Sequence, residues 1–455
     1  MKVANNRGVH ETHNDIVSHI RLKSTMDESY VRNLETPIAI IGLGKSGRSA
    51  LSLLTQFGFD HSKIITFDEK NSDAMYSQPS RLAELQIKTL VVSPGVSLKS
   101  AWLQSMLQKG AHLTSEITIA ASLLTSERVI GVTGSVGKST VVSLLGAGLK
   151  TFDEFCFVGG NLGVPFCDYS KNTLDGKLRA TWIVLELSSY QLENCKQLKL
   201  ENSIITFLSA NHLERYENLE EYYATKLKIT SITTGVCLFN SSSADCVALS
   251  SKSHCGSQLV NSSTFSRQKL LADISLIGNH NKDNFSLAAE MAIICKWPES
   301  VFAQMSAYTG LAHRLEFVAS VNGVTFINDS KATAMDSVLV ASRGCLEGVT
   351  ASNKVFLLLG GKDKNLPWED LAVLSSNESI EPVFFGACGA LAKKKSELSG
   401  EIFEKLGAAI TFCQKRARAG DVVLLSPGGT SLDEFNNFEE RGDFFKAFVR
   451  ANSEL

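Results

Sequence analysis

Val129-Ile130-Gly131-Val132-Thr133-Gly134-Ser135-Val136-Gly137-Lys138-Ser139-Thr140 runs from an apolar, β-branched segment through a glycine-rich turn into Lys-Ser-Thr. Val141-Val142-Ser143-Leu144-Leu145 follows. That order reads strand, tight loop, helix. Glycines let the backbone approach a polyphosphate, and the amides of loop and helix then face its oxygens. Lys138 is placed to reach the terminal phosphates, and Ser139 or Thr140 a magnesium ion. The spacing departs from G-x-x-x-x-G-K-[ST], which needs glycine at Val132; Gly131 and Gly134 flank that position instead. A turn that merely needs flexible residues explains the glycines but not the Lys-Ser-Thr behind them. The expectation is an ATP site formed by Gly134, Ser135, Val136, Gly137, Lys138, Ser139 and Thr140.

A length of 455 residues suggests about three domains of roughly 150 residues each. A 44% hydrophobic content fits packed globular material. The net charge of −2 gives no electrostatic case for nucleic acid or an anionic membrane. No apolar run approaches the roughly 18 residues of a spanning helix. Residues 1–35 are polar, carry His10, His13 and His19, and lack the apolar core of a secretory signal. They read as a flexible extension, with a histidine metal site as the alternative. The ten cysteines are scattered singly, which suits a reducing cytoplasm. Cys237, Cys246 and Cys255 recur every nine residues, a spacing read as coincidence.

Upstream of the phosphate loop, Pro37–Ile41 reads as a strand leading into Gly42-Leu43-Gly44-Lys45-Ser46-Gly47. Ile64–Phe67 then ends at Asp68, about 20 residues beyond the last glycine, completing the dinucleotide pattern. A nucleotide diphosphate at Gly44–Gly47 with Asp68 facing a sugar or base satisfies it; a nicotinamide or flavin is the alternative. Thr89–Val92 ends in Ser93-Pro94-Gly95, at the sheet edge where such folds bind ligands. Downstream, Phe157–Gly163 is a strand and glycine turn, and 181–187 places Glu186 at a strand end. Behind a phosphate loop, that carboxylate reads as a magnesium ligand or water positioner rather than a helix cap. Ser203–Leu208 delivers His212 to a corresponding strand end. Residues 240–266 read as an irregular, serine-rich surface excursion. Gly278–Asn284 opens a helix over 285–294, and 311–316 reads as an interdomain connection. A last α/β unit places glycine turns after Val355–Leu359 and Asp421–Leu425. Strand and helix signals alternate, so the sheets should be parallel.

Taken together, this ordered series resembles the ATP-dependent Mur ligases of peptidoglycan synthesis, over about residues 36–450. The elements are Gly134–Thr140, Gly160-Asn161-Leu162-Gly163, Glu186-Leu187-Ser188-Ser189, Asn211-His212-Leu213, Lys226 in Ala-Thr-Lys-Leu, and His280-Asn281. They continue with His313-Arg314, Asn328–Thr333 and Gly360–Lys364. Leu425-Ser426-Pro427, Ser431–Phe435, Phe438 and Arg441-Gly442 favour the D-glutamate-adding members; the Asp-Asn-Pro-Arg motif of the diaminopimelate- or lysine-adding ones is absent. The resemblance implies an α/β chain of three domains behind the extension over 1–35. A Rossmann-like UDP-substrate domain covers 36–124, and a central P-loop ATPase-type domain with a parallel sheet covers 125–311. A C-terminal Rossmann-like domain over 312–455 closes over ATP and admits D-glutamate.

By the same resemblance, UDP-N-acetylmuramoyl-L-alanine is held by Gly44, Lys45, Ser46, Gly47, Asp68, Lys70, Ser93, Pro94, Gly95, Asn161 and His212. ATP is held by the phosphate loop with Asn281, Arg314, Asp329 and Lys331. D-glutamate is held by Thr333, Lys364, Ser431, Leu432 and Phe438. Two magnesium ions (Mg2+) are implied, one on Ser139 and Glu186, the other on His212 and a carbamylated Lys226. Lys138, Glu186, His212 and Lys226 are the implied catalytic set, in a bacterial, cytoplasmic, monomeric enzyme that binds neither nucleic acid nor membrane. Read on its own, Lys226 could equally be a surface lysine paired with Glu221 or Tyr222 one turn back. Val136, Glu214 and Asn365 stand where the family more often has a polar residue, Asp and Gly.

Overall fold

Buried, β-branched runs become the strands of three sheets in the computed structural model, which describes residues 27–161, 163–209, 215–347, 349–350 and 352–451. The first sheet holds β1 (Ile38–Ile41), β2 (Ile64–Phe67), β3 (Thr89–Val92) and β4 (His112–Thr114), ordered β2-β1-β3-β4 and parallel throughout. The second holds β5 (Arg128–Thr133), β6 (Phe157–Gly160), β7 (Trp182–Glu186), β8 (Asn202–Ile205), β9 (Val236–Asn240) and β10 (Gly256–Val260), ordered β10-β9-β8-β5-β7-β6. The third holds β11 (Glu316–Val321), β12 (Val324–Asn328), β13 (Val355–Gly360), β14 (Ile380–Phe385), β15 (Glu401–Phe403) and β16 (Val422–Gly428). Its order is β11-β12-β16-β13-β14-β15, parallel except for the antiparallel edge pair β11–β12.

Site residues ride on helices that follow these strands: α1 (Lys45–Gln56), α2 (Lys138–Leu149), α3 (Phe166–Leu174), α4 (Leu219–Ser231), α5 (Asn279–Ile294), α6 (Met335–Leu346) and α7 (Phe438–Ala451). The chain packs as two compact units. One comprises residues up to Val129 with Gly159–Ile183 and Tyr190–Lys199; the other comprises Ile130–Val158, Val184–Ser189 and Leu200 onward.

The third sheet shows why its strands read as continuous apolar runs. Side chains alternate across a strand, and here both faces are covered. Val355, Leu357 and Leu359 pack with Trp368 and Val338 on one face, while Phe356 and Leu358 pack with Phe445 and Ile410 on the other. Its central strand β13 therefore carries no polar side chain.

The serine-rich stretch 240–266 is not irregular, contrary to expectation. It contains a helix, Ala244–Ser250, and the edge strand β10, which pairs in parallel with β9 from Gly256↔Val236 to Val260↔Asn240. Four of the five β10 residues are exposed, so the strand is held by backbone pairing and carries no hydrophobic period. Strand β8 ends at Ile205 rather than Leu208; Phe207 instead makes an isolated antiparallel bridge to Val136. Helix α5 starts at Asn279, six residues before the expected Phe285. His10, His13 and His19 lie outside the described residues. Among the described residues no helix is long and apolar enough to cross a membrane. All ten cysteines are free thiols, eight of them buried.

Glu116 is a buried carboxylate with a structural task. It accepts the Cys167 N–H at 2.5 Å in the first turn of α3, where helix amides lack partners. Burial pushes its pKa from 4.5 to about 7, helped by the nearby Asp168 charge. The folded state therefore keeps this proton to higher pH than the unfolded chain, and stability falls as pH rises from about 4.5 to 7. Glu116→Gln should remove that slope, worth on the order of 3 kcal/mol across the window. Urea unfolding of both proteins at several pH values checks this; parallel stability curves would refute it.

Candidate functional site

Strand β5 delivers the phosphate loop to the sheet edge, and two glycines shape it. Gly134 (φ 146°) and Gly137 (φ 92°) lie where a Cβ would collide with the Thr206 hydroxyl and the Asn284 carboxamide. Thr206 donates to the Val136 carbonyl at 2.6 Å, and the Ser135 and Val136 N–H groups donate to Phe207 O, so the segment just after β8 pins the loop from behind. Lys138 folds back over it, its Nζ donating to Gly134 O at 2.9 Å and Ser135 O at 3.0 Å. Burial lowers its pKa. Ser139 Oγ donates to Glu186 Oε2 at 2.7 Å; both residues are buried.

Lys226 reaches the same place from α4. Its Nζ donates to Gly134 O at 2.8 Å and sits 4.5 Å from the Tyr222 ring centroid. It is 2% exposed, which excludes the surface lysine paired with Glu221. Desolvation, and then the Lys138 charge, push its pKa down to about 6. Two amines thus converge on one carbonyl oxygen beside a buried carboxylate. His212, together with Asn211, Leu213, Glu214 and Leu162, lies outside the described residues.

Beside the loop is a cavity of about 130 Å³ lined by Val136, Gly137, Thr140, Asn281, Asn284, Arg314, Asp329 and Lys331, among others. A neighbouring cavity of about 480 Å³ shares Val136, Gly137, His280, Asn284 and Val340 with it. Asn281 supports the first turn of α5, donating to Ile277 O at 2.7 Å and accepting from Asn284 Nδ2 at 2.9 Å. Arg314 lies between two residues in the left-handed region, His313 (φ 63°) and Leu315 (φ 43°). That turn is held by Leu315 N donating to Asp329 Oδ1 and Lys331 N donating to His313 O. Asp329 also accepts from Ser426 Oγ at 2.9 Å, and burial pushes its pKa up to about 7. Gly137→Ala should displace Asn284 and raise the KM for the ATP that the loop sequence predicts by about 10-fold or more, from roughly 1.4 kcal/mol of lost binding per decade. Steady-state titration of ATP checks it; an unchanged KM would mean Asn284 yields freely.

The first unit carries its own cavity, about 530 Å³, lined by Gly44, Lys45, Ser46, Asp68, Lys70, Ser93, Pro94, Gly95, Trp102 and Asn161, among others. Gly47 stands behind it: a Cβ there would strike the Gly42 carbonyl, so this glycine lets α1 pack against its strand. Asp68 organises the rim. It accepts from Leu43 N at 2.7 Å, Lys70 N at 2.9 Å and Asn71 N at 3.0 Å, and these bonds hold its pKa below the usual carboxylate range.

In the third sheet, the loops after β12, β13 and β16 meet. Lys362 and Thr430 exchange backbone bonds of 2.8 and 2.9 Å, and the Lys331 ammonium lies 3.9 Å from the Phe438 ring centroid. Ser431 is buried, while Lys364 and Leu432 are exposed. Asn365 adopts φ 61°, the left-handed conformation glycine takes most easily, and Asp363 Oδ2 accepts its N–H. Asparagine is among the side chains that best tolerate that region.

The Mur ligase middle-domain model matches residues 132–255. The UDP-N-acetylmuramoylalanine–D-glutamate ligase of Koribacter versatilis is 31% identical over 460 residues, covering 92% of this chain and 98% of the relative. The chain belongs to this ligase family. The enzyme of that name from Haemophilus influenzae is also 31% identical, covering 90% of this chain and 96% of its own. The crystal structure of MurF ligase from Thermotoga maritima in complex with ADP superposes with a TM-score of 0.57 at 14% identity, covering 80% of this chain and 90% of that one. At that identity it speaks for the fold.

Family membership sharpens which positions escaped the sequence reading. Asn284 faces Gly137 and lines both cavities beside the loop, whereas the sequence offered the Asn side chains of 278–284 only as a base-edge contact or a helix cap. Trp102, on the wall of the first-unit cavity, carried no sequence signal of its own. Among the described residues, no group of three or more His, Cys, Asp or Glu side chains could hold a metal ion. The Ser139–Glu186 pair nevertheless offers two hard oxygens beside a phosphate loop, a donor set that suits magnesium completed by phosphate and water.

Proposed function

We propose that this chain is an ATP-dependent amide ligase that joins D-glutamate to UDP-N-acetylmuramoyl-L-alanine. The observation that carries this reading is the cluster of Lys138, Glu186 and Lys226 on the phosphate loop, in a chain similar over about nine-tenths of its length to ligases of that name. A carboxylate is a poor acyl donor. The alanyl carboxylate oxygen therefore attacks the γ-phosphorus of ATP, breaking its bond to the β-phosphate bridge oxygen and releasing ADP. The amine of D-glutamate then attacks the acyl phosphate, a C–N bond forms, and phosphate leaves with the carboxyl oxygen. Lys138 neutralises charge gathering on the transferring group.

The other roles are those that the family resemblance implies. ATP spans the two cavities, with Asn281, Arg314, Asp329 and Lys331 around it. The first-unit cavity takes the UDP moiety on Gly44–Gly47, Asp68, Lys70, Ser93–Gly95 and Asn161. Thr333, Lys364, Ser431, Leu432 and Phe438 receive D-glutamate, the Lys364 charge countering its carboxylates. The domains run over 36–124, 125–311 and 312–455, and the enzyme acts as a cytoplasmic monomer. Ser139 and Glu186, and His212 with Lys226, would hold magnesium, which supplies further neutralisation of phosphate charge. Lys226 would serve as a carbamate: its neutral amine, favoured by burial, bonds to the carbon of CO2 and releases one proton.

The test is phosphate release from ATP on adding UDP-N-acetylmuramoyl-L-alanine and D-glutamate. Release should require both, and other amino acids should not replace D-glutamate. Release no greater than with either substrate omitted would leave only an ATP-binding protein of this fold.

A further inference from the structure

Arg441 is a buried cation with 0% of its surface exposed, and no catalytic step above uses it. It projects from the first turns of α7. Its Nε donates to Ser330 Oγ at 3.0 Å, its Nη2 to Ser330 O at 2.8 Å, and its Nη1 to Gly429 O at 3.1 Å. Gly361 packs so closely that a Cβ would sit 3.0 Å from Nη1. Among the described residues no carboxylate lies within ion-pairing distance of it. Its three hydrogen bonds go to neutral oxygens and Asp433 acts on it only through its charge; a guanidinium buried in this way is costly and adds little net stability by itself. Hydrophobic residues of similar size would fill the space more cheaply.

The geometry gives the charge another use. Ser330 sits between Asp329 and Lys331, on the loop assigned to the nucleotide, and its hydroxyl also donates to Phe438 O at 2.8 Å. Gly429 opens the loop that carries Ser431, assigned to the amino acid. One rigid fork therefore grips both loops. We propose that Arg441 is a positioning residue that couples amino-acid binding to nucleotide binding, by tying the Asp329–Lys331 loop to the Gly429–Ser431 loop. This rests on the ligase reading above. A lysine could keep the charge but not the three-point fork.

The test uses the full-length protein, a non-hydrolysable ATP analogue, and saturating UDP-N-acetylmuramoyl-L-alanine. Wild type should bind the analogue at least about 5-fold more tightly with D-glutamate present, within the usual range of coupling between sites. In Arg441→Lys that factor should fall to about 1, and in Ser330→Ala, which keeps the bonds to the Ser330 and Gly429 carbonyls, to about 2; in both the KM for D-glutamate should rise more than kcat falls. Affinity for the UDP substrate alone should not move. Ser330→Ala removes one hydroxyl and keeps the packing, so it reports even if Arg441→Lys does not fold. A folded variant that retains the wild-type factor, or a wild type without coupling, overturns the proposal. Wild-type phosphate release with D-glutamate is measured alongside: coupling absent with release intact sinks only Arg441's role, whereas absent release sinks the ligase reading and this inference together.

Discussion

Lys138→Ala is expected to lower turnover by about 10³-fold or more, in the range seen when a cation is removed from a phosphoryl-transfer site. Among the described residues the side chain bonds only to the Gly134 and Ser135 carbonyls of its own loop, so ATP can draw its ammonium away from them toward phosphate. Its removal also relieves the burial of a charge, and the melting temperature should change little. The UDP substrate should bind as before. Phosphate release, thermal unfolding and UDP-substrate titration on one preparation check all three statements. Near-normal turnover would refute the phosphate-loop assignment.

Much of this loop was legible because its chemistry is local. A β-branched run, glycines at positive φ and Lys-Ser-Thr are neighbours in sequence, and the structure joins them without rearrangement. The apolar strands β1, β3, β13 and β16 were legible for a related reason, since strands buried on both faces show as unbroken runs. What escaped depends on partners far along the chain. Strand β10 exposes four of its five side chains and exists because β9 offers it a ladder. Asn284 matters because Gly137, almost 150 residues earlier, lies against it. Arg441 was visible as part of a motif, but its burial and its grip on Ser330 and Gly429 were not. The same holds for Lys226: its sequence neighbours Glu221 and Tyr222 suggested a solvent pair, whereas the fold turns it inward to Gly134.

That inward turn makes Lys226→Ala the second large effect. An exposed ion pair on a helix would be worth only about 0.3–0.5 kcal/mol, and its loss would pass unnoticed. A buried amine that becomes a magnesium-holding carbamate is different: activity should collapse by about 10²-fold or more, without loss of fold. The Lys138 ammonium still satisfies Gly134 O in the variant, which protects the loop. Lys226→Met, close in length but unable to take up CO2, should behave alike. Acetate could partly restore turnover by placing an oxygen where the carbamate stood. Wild-type turnover of Lys226→Ala at limiting magnesium would end the assignment.

The ten free thiols have a practical use. Burial pushes Cys167, Cys237, Cys345 and Cys413 far up, so in the folded protein they are neither accessible nor in the reactive thiolate form. Only Cys156 and Cys255 are half-buried. An alkylating reagent therefore marks those two positions first and reaches the other eight only as their surroundings open. Each buried cysteine becomes a stopwatch for its own region. Mass spectrometry of the labelled peptides would rank the order in which the sheets come apart.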